Sequence, residues 1–365
     1  MPASLAPAPR DRLALIASAR RAVLAGEGPG DAPAIEPWLE RSWRRCLGMG
    51  QRPDQRLTFD LVAAPARRRV MEENRPLIHA ARPVLERLSD ALASSRYFAV
   101  LTNRDGVVID AHGPIDRSDR RADLITRIVV DLSERAVGTT AIGAALTELQ
   151  PVWLHRGEHF FADTSVYSCA GAPLFGPDGD CVGMLDLTGI NAAERPELRH
   201  LAAQSARAIE NAIVLRVPHA LLLRLNWPGR VPGGHDDALV CLDPDGWVKG
   251  CNEAARQMLP QLAVRGVPTH CGELFAQRCD TWFDAARRSA PAAPVEAPLW
   301  SGLRVLVLPQ LPGHPPVNVP PKVRLRDMEI ALIRKAVADA RGNVVQAAQA
   351  LGISRATVYR KLGKK

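Results

Sequence analysis

Six prolines fall between Pro309 and Pro321, and they limit what this chain can fold into more than any other feature. Proline fixes φ and carries no N–H, so a run this dense sustains neither helix nor sheet and reads as a semi-rigid spacer. At least two bodies are therefore expected, one on each side. The shorter one, 322–365, carries 11 Lys plus Arg against 3 Asp plus Glu, while the rest of the chain holds 36 of each sign. The whole formal charge of +8 thus lies in the last 44 residues. A concentrated basic segment on a neutral body is the electrostatic footprint of phosphate binding.

Inside that segment, NVVQAAQALGISRATVYRKL (343–362) has the pattern of two helices about a turn. Asn343 is a cap candidate, Val344, Ala347, Ala348 and Leu351 give the first helix its apolar face, and Gly352 permits the positive φ that ends it. Ser354 is a second cap, flanked by Ile353 and Val358 at the spacing of a hydrophobic staple. With Val358 and Leu362 taken as the buried pair, Ala356, Tyr359, Arg360 and Gly363 turn outward, with Arg355 and Thr357 on the flanks. Arg355 lies in the first turn, where a recognition helix meets bases, and Arg bonds bidentately to guanine. Ser354, Thr357, Arg360 and Lys361 are candidates for phosphate contacts, and Asn343 presents a helix N-terminus to the backbone. The alternative is a structural helical hairpin with charged faces. The staple, the Gly-Ile-Ser-Arg turn and the local charge weigh against it.

At 365 residues the chain has room for two or three domains. Seven cysteines, an odd number with no CxxC pair, do not make a disulfide framework, which points to a reducing cytoplasm. The N-terminus has no uninterrupted apolar stretch and no run approaches a membrane span, so no membrane association is expected.

Residues 1–75 are expected to form a helical segment, with Leu13, Ile16, Ala17, Val23 and Leu24 at helical spacing and a second helix around Ile35, Trp38, Leu39, Trp43 and Cys46. The two tryptophans read as packing against the next domain. A domain is expected over 76–217: an amphipathic helix through Leu77–Leu92, a hairpin of YFAVLTN and VVIDA about Arg104-Asp105-Gly106, and strands at Val152–His155 and Cys169–Phe175. CVGMLDLTG follows the Pro177-Asp178-Gly179 turn, and a long helix runs over about Ala192–Val217. A smaller unit over 236–308 shows a hairpin (ALVCLD, WVKGCN), a helix (EAARQML) and a closing strand (LRVLVLP). The linker is 309–321 and the last domain 322–365.

The blocks AVGTTAIGAALTELQPVWLHRGEHF (Ala136–Phe160), SCAGAPLFGPDGDCVGMLDLTG (Ser168–Gly189) and SARAIENAI (Ser205–Ile213) resemble the GAF domain of bacterial regulators related to the acetoin-catabolism regulator. ERSWRRC, upstream, resembles the segment preceding that domain, so the likeness covers 35–215. Thr140 stands where Asn is usual there, and Tyr167 where Trp is usual, so no particular ligand is carried over. The 236–308 unit is similar to a reduced PAS domain. The helix Leu325–Ala340 with the two that follow resembles the Fis-type helix-turn-helix ending the activators of the nitrogen-type sigma factor. There the first helix helps form a dimer. Those activators carry an ATPase whose phosphate loop reads GxxxxGK[ST]. No such string occurs here, and the only Gly-Lys pair is Gly363-Lys364.

The expected fold class is therefore multidomain α+β: a GAF-like sensor domain, a small PAS-like α+β domain and an all-α Fis-type helix-turn-helix. Trp153, His155, His159, Tyr167 and Cys169 are the candidates for the ligand pocket. His155–His159 matches HxxEH, but Gly157 and the β-like residues before it argue against the helix that zinc chemistry requires, so neither metal nor catalytic residue is assigned. Cys169 and Cys181 raise a second reading, a GAF-fold thiol-dependent reductase with a nucleic-acid-binding tail; buried strand cysteines are more often small hydrophobes. A third is a partner that heterodimerises with a full-length activator. The expected protein is a cytoplasmic, non-enzymatic regulator without cofactor or ATPase. It would bind double-stranded DNA as a homodimer, respond to an unknown small-molecule effector, and act through RNA polymerase or another regulator.

Overall fold

The computed structural model describes residues 9–26, 35–57, 64–288, 293–313, 337, 343–350, 355, 358 and 359. These divide into two units, within Met1–Pro312 and Gly313–Lys365.

The first unit begins with helices α1 (Pro9–Leu24), α2 (Pro37–Gly48), α3 (Ala64–Glu73) and α4 (Arg75–Leu92). Strands β1 (Tyr97–Asn103) and β2 (Val108–His112) follow, then short helices α5 (Arg120–Ile125), α6 (Glu134–Val137) and α7 (Ala141–Glu148). Strands β3 (Val152–His155), β4 (Tyr167–Phe175) and β5 (Cys181–Ile190) lead to helix α8 (Leu198–Val214). The five strands make one antiparallel sheet in the order β2-β1-β5-β4-β3. Its first hairpin closes because Asn103 Oδ1 accepts from the N–H of Asp105 (3.1 Å) and of Val107 (2.9 Å).

Both faces of this sheet are covered, so its strands are apolar without alternation and the period of two shows only in which core each residue joins. Phe98 and Val100 join one core, and Tyr97, Ala99 and Leu101 the other. The second core is closed by α4 and α8, through Leu77, Ala81, Leu85 and Leu88 from one helix and Ala202, Ala206 and Ile209 from the other. The first is closed by α1, α2 and the short helices, with Trp38 and Trp43 both buried in it. The amino-terminal helices are thus part of this unit's core. Helix α7 approaches β4 closely because Gly171 lies beneath it: a Cβ there would stand 2.8 Å from the Ala141 carbonyl oxygen.

Helix α8 starts later than the expected Ala192. Pro196 disfavours helical φ/ψ for Arg195, and the helix is nucleated only beyond that pair. The stretch between β2 and β3, which reads as merely polar, holds α5 to α7. They are four to eight residues long, too short to show a helical period.

A second sheet consists of β6 (Leu221–Asn226), β7 (Ala238–Leu242), β8 (Val248–Cys251), β9 (Val295–Pro298) and β10 (Arg304–Gln310), in the order β8-β7-β6-β10-β9. Helices α9 (Glu253–Met258), α10 (Cys271–Leu274) and α11 (Asp280–Arg288) connect β8 to β9. The central strand β6 lies upstream of residue 236, outside the segment expected to form this unit. Its Leu221, Leu223 and Leu225 enter the core with Phe275 and Trp282, whereas Leu222 packs with Val214 of α8. A strand buried on both sides gives a continuous apolar run that periodicity cannot separate from a helix. Two amide contacts tie this sheet to α8: Asn252 Nδ2 donates to Asn211 Oδ1 (2.7 Å), and Asn211 Nδ2 donates to the His235 carbonyl (2.7 Å).

In the second unit, helix α12 (Val344–Ala350) is capped by Asn343, whose Oδ1 accepts from the N–H of Val345 (3.1 Å) and of Gln346 (3.2 Å). Ala348 and Val358 are buried against Val337 and Val344.

Candidate effector cavity and DNA-binding helices

A cavity of ≈ 30 Å³ lies in the first core, between the β-sheet and helices α5 to α7. That is room for about two waters, or for a molecule of a few heavy atoms. Val100, Ile125, Ile142 and Tyr167 give it apolar walls, while His159, Asp186, Thr188 and Cys169 supply its polar atoms. Thr140 borders it too, its hydroxyl accepting from the Gly143 N–H at 3.2 Å to cap α7.

Strand alternation decides which expected residues reach this space. Tyr167 and Cys169 share a face of β4 and line it, and His159 joins them from the turn after β3. Trp153 and His155 do not, which corrects the grouping of all five residues in one pocket. In β3, Val152 and Leu154 point into the cavity's core, so Trp153 and His155 point to the opposite face. There their rings stack 6.3 Å apart, and His155 Nδ1 lies 2.7 Å from Ser168 Oγ. The HxxEH string is broken by a single 3₁₀ turn, Arg156–Glu158, and the Glu158 carboxylate is occupied by the His155 N–H (2.6 Å) and Arg12 (2.8 Å).

Burial governs the chemistry here. His159 is fully buried and its pKa is pushed down to about 4, chiefly by desolvation. Its Nδ1 lies 3.0 Å from the Arg156 carbonyl oxygen, so Nδ1 carries the proton and Nε2 presents a lone pair with no partner among the described residues. Asp186 is 1% exposed, and desolvation pushes its pKa up to about 7. One of its oxygens accepts from the Thr188 hydroxyl; the other, Oδ1, has no partner among the described residues. The Cys169 thiol is held well above its ordinary pKa by burial and by Asp186, and Tyr167, whose hydroxyl donates to the Arg121 carbonyl at 3.2 Å, is also raised by burial. Because Oδ2 accepts from Thr188, the proton that Asp186 keeps up to about pH 7 sits on Oδ1, so the cavity presents one unpartnered buried acceptor, His159 Nε2, and one unpartnered buried donor. Asp186 and Thr188 were missed in the sequence, although an acidic residue between Leu185 and Leu187 in an otherwise apolar strand was the available signal.

In the second unit Asn343 and Arg355 are exposed, Arg355 in helical conformation, and Val358 is buried. Ser354, Thr357, Arg360 and Lys361 lie outside the described residues.

An α/β unit with two sheets and a small buried cavity, followed on the same chain by a basic helical unit, defines a class: a sensor-like module joined to a DNA-binding one. The family described as MimR, N-terminal domain, matches residues 18–211, more than half of the chain, and the bacterial regulatory protein Fis family matches 324–364. The chain belongs to the MimR-type family of transcriptional regulators, with a Fis-type helix-turn-helix at 324–364. It is 31% identical over 264 residues to the acetoin catabolism regulatory protein of Cupriavidus necator, covering 70% of this chain and 39% of that protein. It is 31% identical over 183 residues to the propane 2-monooxygenase operon transcriptional activator MimR of Mycolicibacterium goodii, covering 49% of this chain and 30% of that protein. The chain thus spans well under half the length of these curated relatives. Among solved structures, the E. coli DhaR(N)–DhaL complex aligns with 77% of this chain and 100% of that one, at 15% identity and a TM-score of 0.47.

Proposed function

We propose that this chain is a sequence-specific, double-stranded-DNA-binding transcriptional regulator acting in the cytoplasm as a homodimer, with a GAF-like effector domain and a PAS-like domain preceding its helix-turn-helix. The observation that carries the reading is the occurrence of the MimR N-terminal match at 18–211 and the Fis match at 324–364 on one chain. The basic charge confined to 322–365 agrees with it. The sheet order β8-β7-β6-β10-β9 supports a PAS-like unit whose middle strand comes from its amino-terminal side. No GxxxxGK[ST] string lies between the sensor and the helix-turn-helix, so we read regulation as a change in DNA binding, exerted on RNA polymerase or on another regulator.

The cavity suits a small uncharged effector. A hydroxyl on such a molecule would donate to His159 Nε2 and a carbonyl would accept from the protonated Asp186 carboxyl, and a charged ligand would lose its hydration in an apolar space. Two relatives carry names that refer to acetoin, a four-carbon hydroxyketone, which makes acetoin the first compound to assay; its six heavy atoms need more room than ≈ 30 Å³, so its binding requires the cavity to widen. The reductase reading is not favoured, because a thiol buried and held protonated, as Cys169 is, is a poor nucleophile.

Selection of bound sequences from a random duplex pool tests the proposal. Recovery of one motif with dyad symmetry is the expected outcome. A pool that stays random while binding weakens steeply with salt would reduce the chain to a non-specific polyanion binder.

A further inference from the structure

We infer that Arg20, on a helix none of whose described residues lines the cavity, is a positioning residue of the effector site: it holds the turn that carries His159 and so makes α1 part of the effector response. The inference rests on the reading that the cavity takes an effector.

The turn after β3 is held from outside the sheet. The Arg20 guanidinium donates to the carbonyl oxygens of Gly157 (3.0 Å), His159 and Phe160. The carbonyl of Glu158, between them, accepts from Trp43 Nε1 on α2 at 2.8 Å. Every carbonyl from 157 to 160 is therefore bound by α1 or α2. The preceding carbonyl, Arg156, is taken by the His159 N–H (3.0 Å) and by His159 Nδ1. The segment has no free acceptor with which to shift.

Arg20 makes no ion pair among the described residues, and burial pulls its pKa below the ordinary value. A half-buried cation without a carboxylate is costly, and here only main-chain carbonyl dipoles compensate it. Its geometry is set by the turn, and the turn by it. The ring at the end of this chain of contacts is His159, whose Nδ1–H is fixed to Arg156 so that Nε2 faces the cavity. A ligand donor on Nε2 pulls on the same residue whose carbonyl Arg20 holds. The helix also reaches the far side of the sheet's connection: Arg12 pairs with Glu158 (2.8 Å) and with Glu194, in the segment that enters α8. An effector that binds more tightly when α1 is seated would shift α1, and the link to α8 with it, by that difference in affinity.

The test is ¹⁵N NMR of the histidine rings in the full chain. In the wild type His159 is expected to stay neutral, with its proton on Nδ1, down to about pH 4. In Arg20→Ala it should show a mixture of tautomers, which loss of the neighbouring charge, enough by itself to raise the His159 pKa, would not produce; Arg20→Lys, which keeps a cation and N–H donors, should restore the Nδ1–H form. Arg21→Ala, an exposed neighbour, is the control. An unaltered His159 tautomer in folded Arg20→Ala, or the same mixture in Arg21→Ala, overturns the assignment. If Arg20→Ala does not fold, Arg20→Gln takes its place in the same comparison.

Acetoin titrations then separate the two layers of the argument. Binding weakened about tenfold or more by Arg20→Ala supports the link, and equal affinity in the two proteins overturns it. Acetoin that fails to bind the wild type, or binds His159→Ala equally well, removes it as the cavity's ligand, and the histidine spectra still decide the role of Arg20.

Discussion

At the scale of single residues, two positions make the account testable without further structure. Arg355, exposed on its helix, should carry discrimination: Arg355→Ala is expected to cost about 1–3 kcal/mol on the best sequence and much less on a scrambled one, measured by anisotropy on both duplexes. Asp186 sets a pH dependence. An unfolded chain loses this proton near pH 4, whereas the folded protein keeps it to about pH 7. Folded stability therefore falls as pH rises through that window, by at most about 1.4 kcal/mol per pH unit from this group. His159 acts with the opposite sign, adding stability between about pH 4 and its ordinary value. Asp186→Asn should thus unfold, in urea series from pH 5 to 7, with a midpoint that falls less with pH than the wild type's; an unchanged slope would mean that Asp186 is not held protonated. How much of the site was legible follows from strand geometry. Tyr167 and Cys169 differ by two positions on one strand, so a correct strand assignment groups them correctly. Trp153 and His155 lie on another strand, and the face they occupy depends on register, which the sequence does not print. Arg20 was invisible because its partners are carbonyls 137 to 140 residues away.

Elements were legible where they are long or carry punctuation. The hairpins at Asn103–Val107 and Asp243–Trp247 are closed by aspartate or asparagine side chains accepting from nearby backbone, with glycine at the positive φ. Helix α4 shows its period over five turns. Strand β6 and helices α5 to α7 were not legible: one is buried on both faces, and the others are shorter than the window in which a period appears. Two substitutions probe elements directly. Gly171→Ala puts a methyl 2.8 Å from the Ala141 carbonyl and should push α7 off β4, lowering stability by about 1–3 kcal/mol in urea unfolding. Asn343→Ala removes the cap of α12 and should cost about 1 kcal/mol, visible as faster hydrogen exchange at Val345 and Gln346. Unaltered exchange there would show that the cap does not hold this helix.

For the whole molecule, the chain joins a sensor-like unit, nearly neutral overall, to a basic helical end across a proline-rich stretch. Charge was legible from composition alone, and it gives a thermodynamic expectation. Lys361→Ala should weaken all sequences alike and reduce the slope of log K against log salt by about 1, leaving sequence preference intact. The central claim is that this chain finds particular DNA sites through its last helix. Genome-wide mapping of DNA bound by the wild-type chain and by Arg355→Ala tests that claim most directly. The expected result is a limited set of wild-type sites sharing a two-fold symmetric sequence, which lose occupancy relative to background in Arg355→Ala. Occupancy spread without a shared sequence, or a shared sequence bound equally by both proteins, would contradict it.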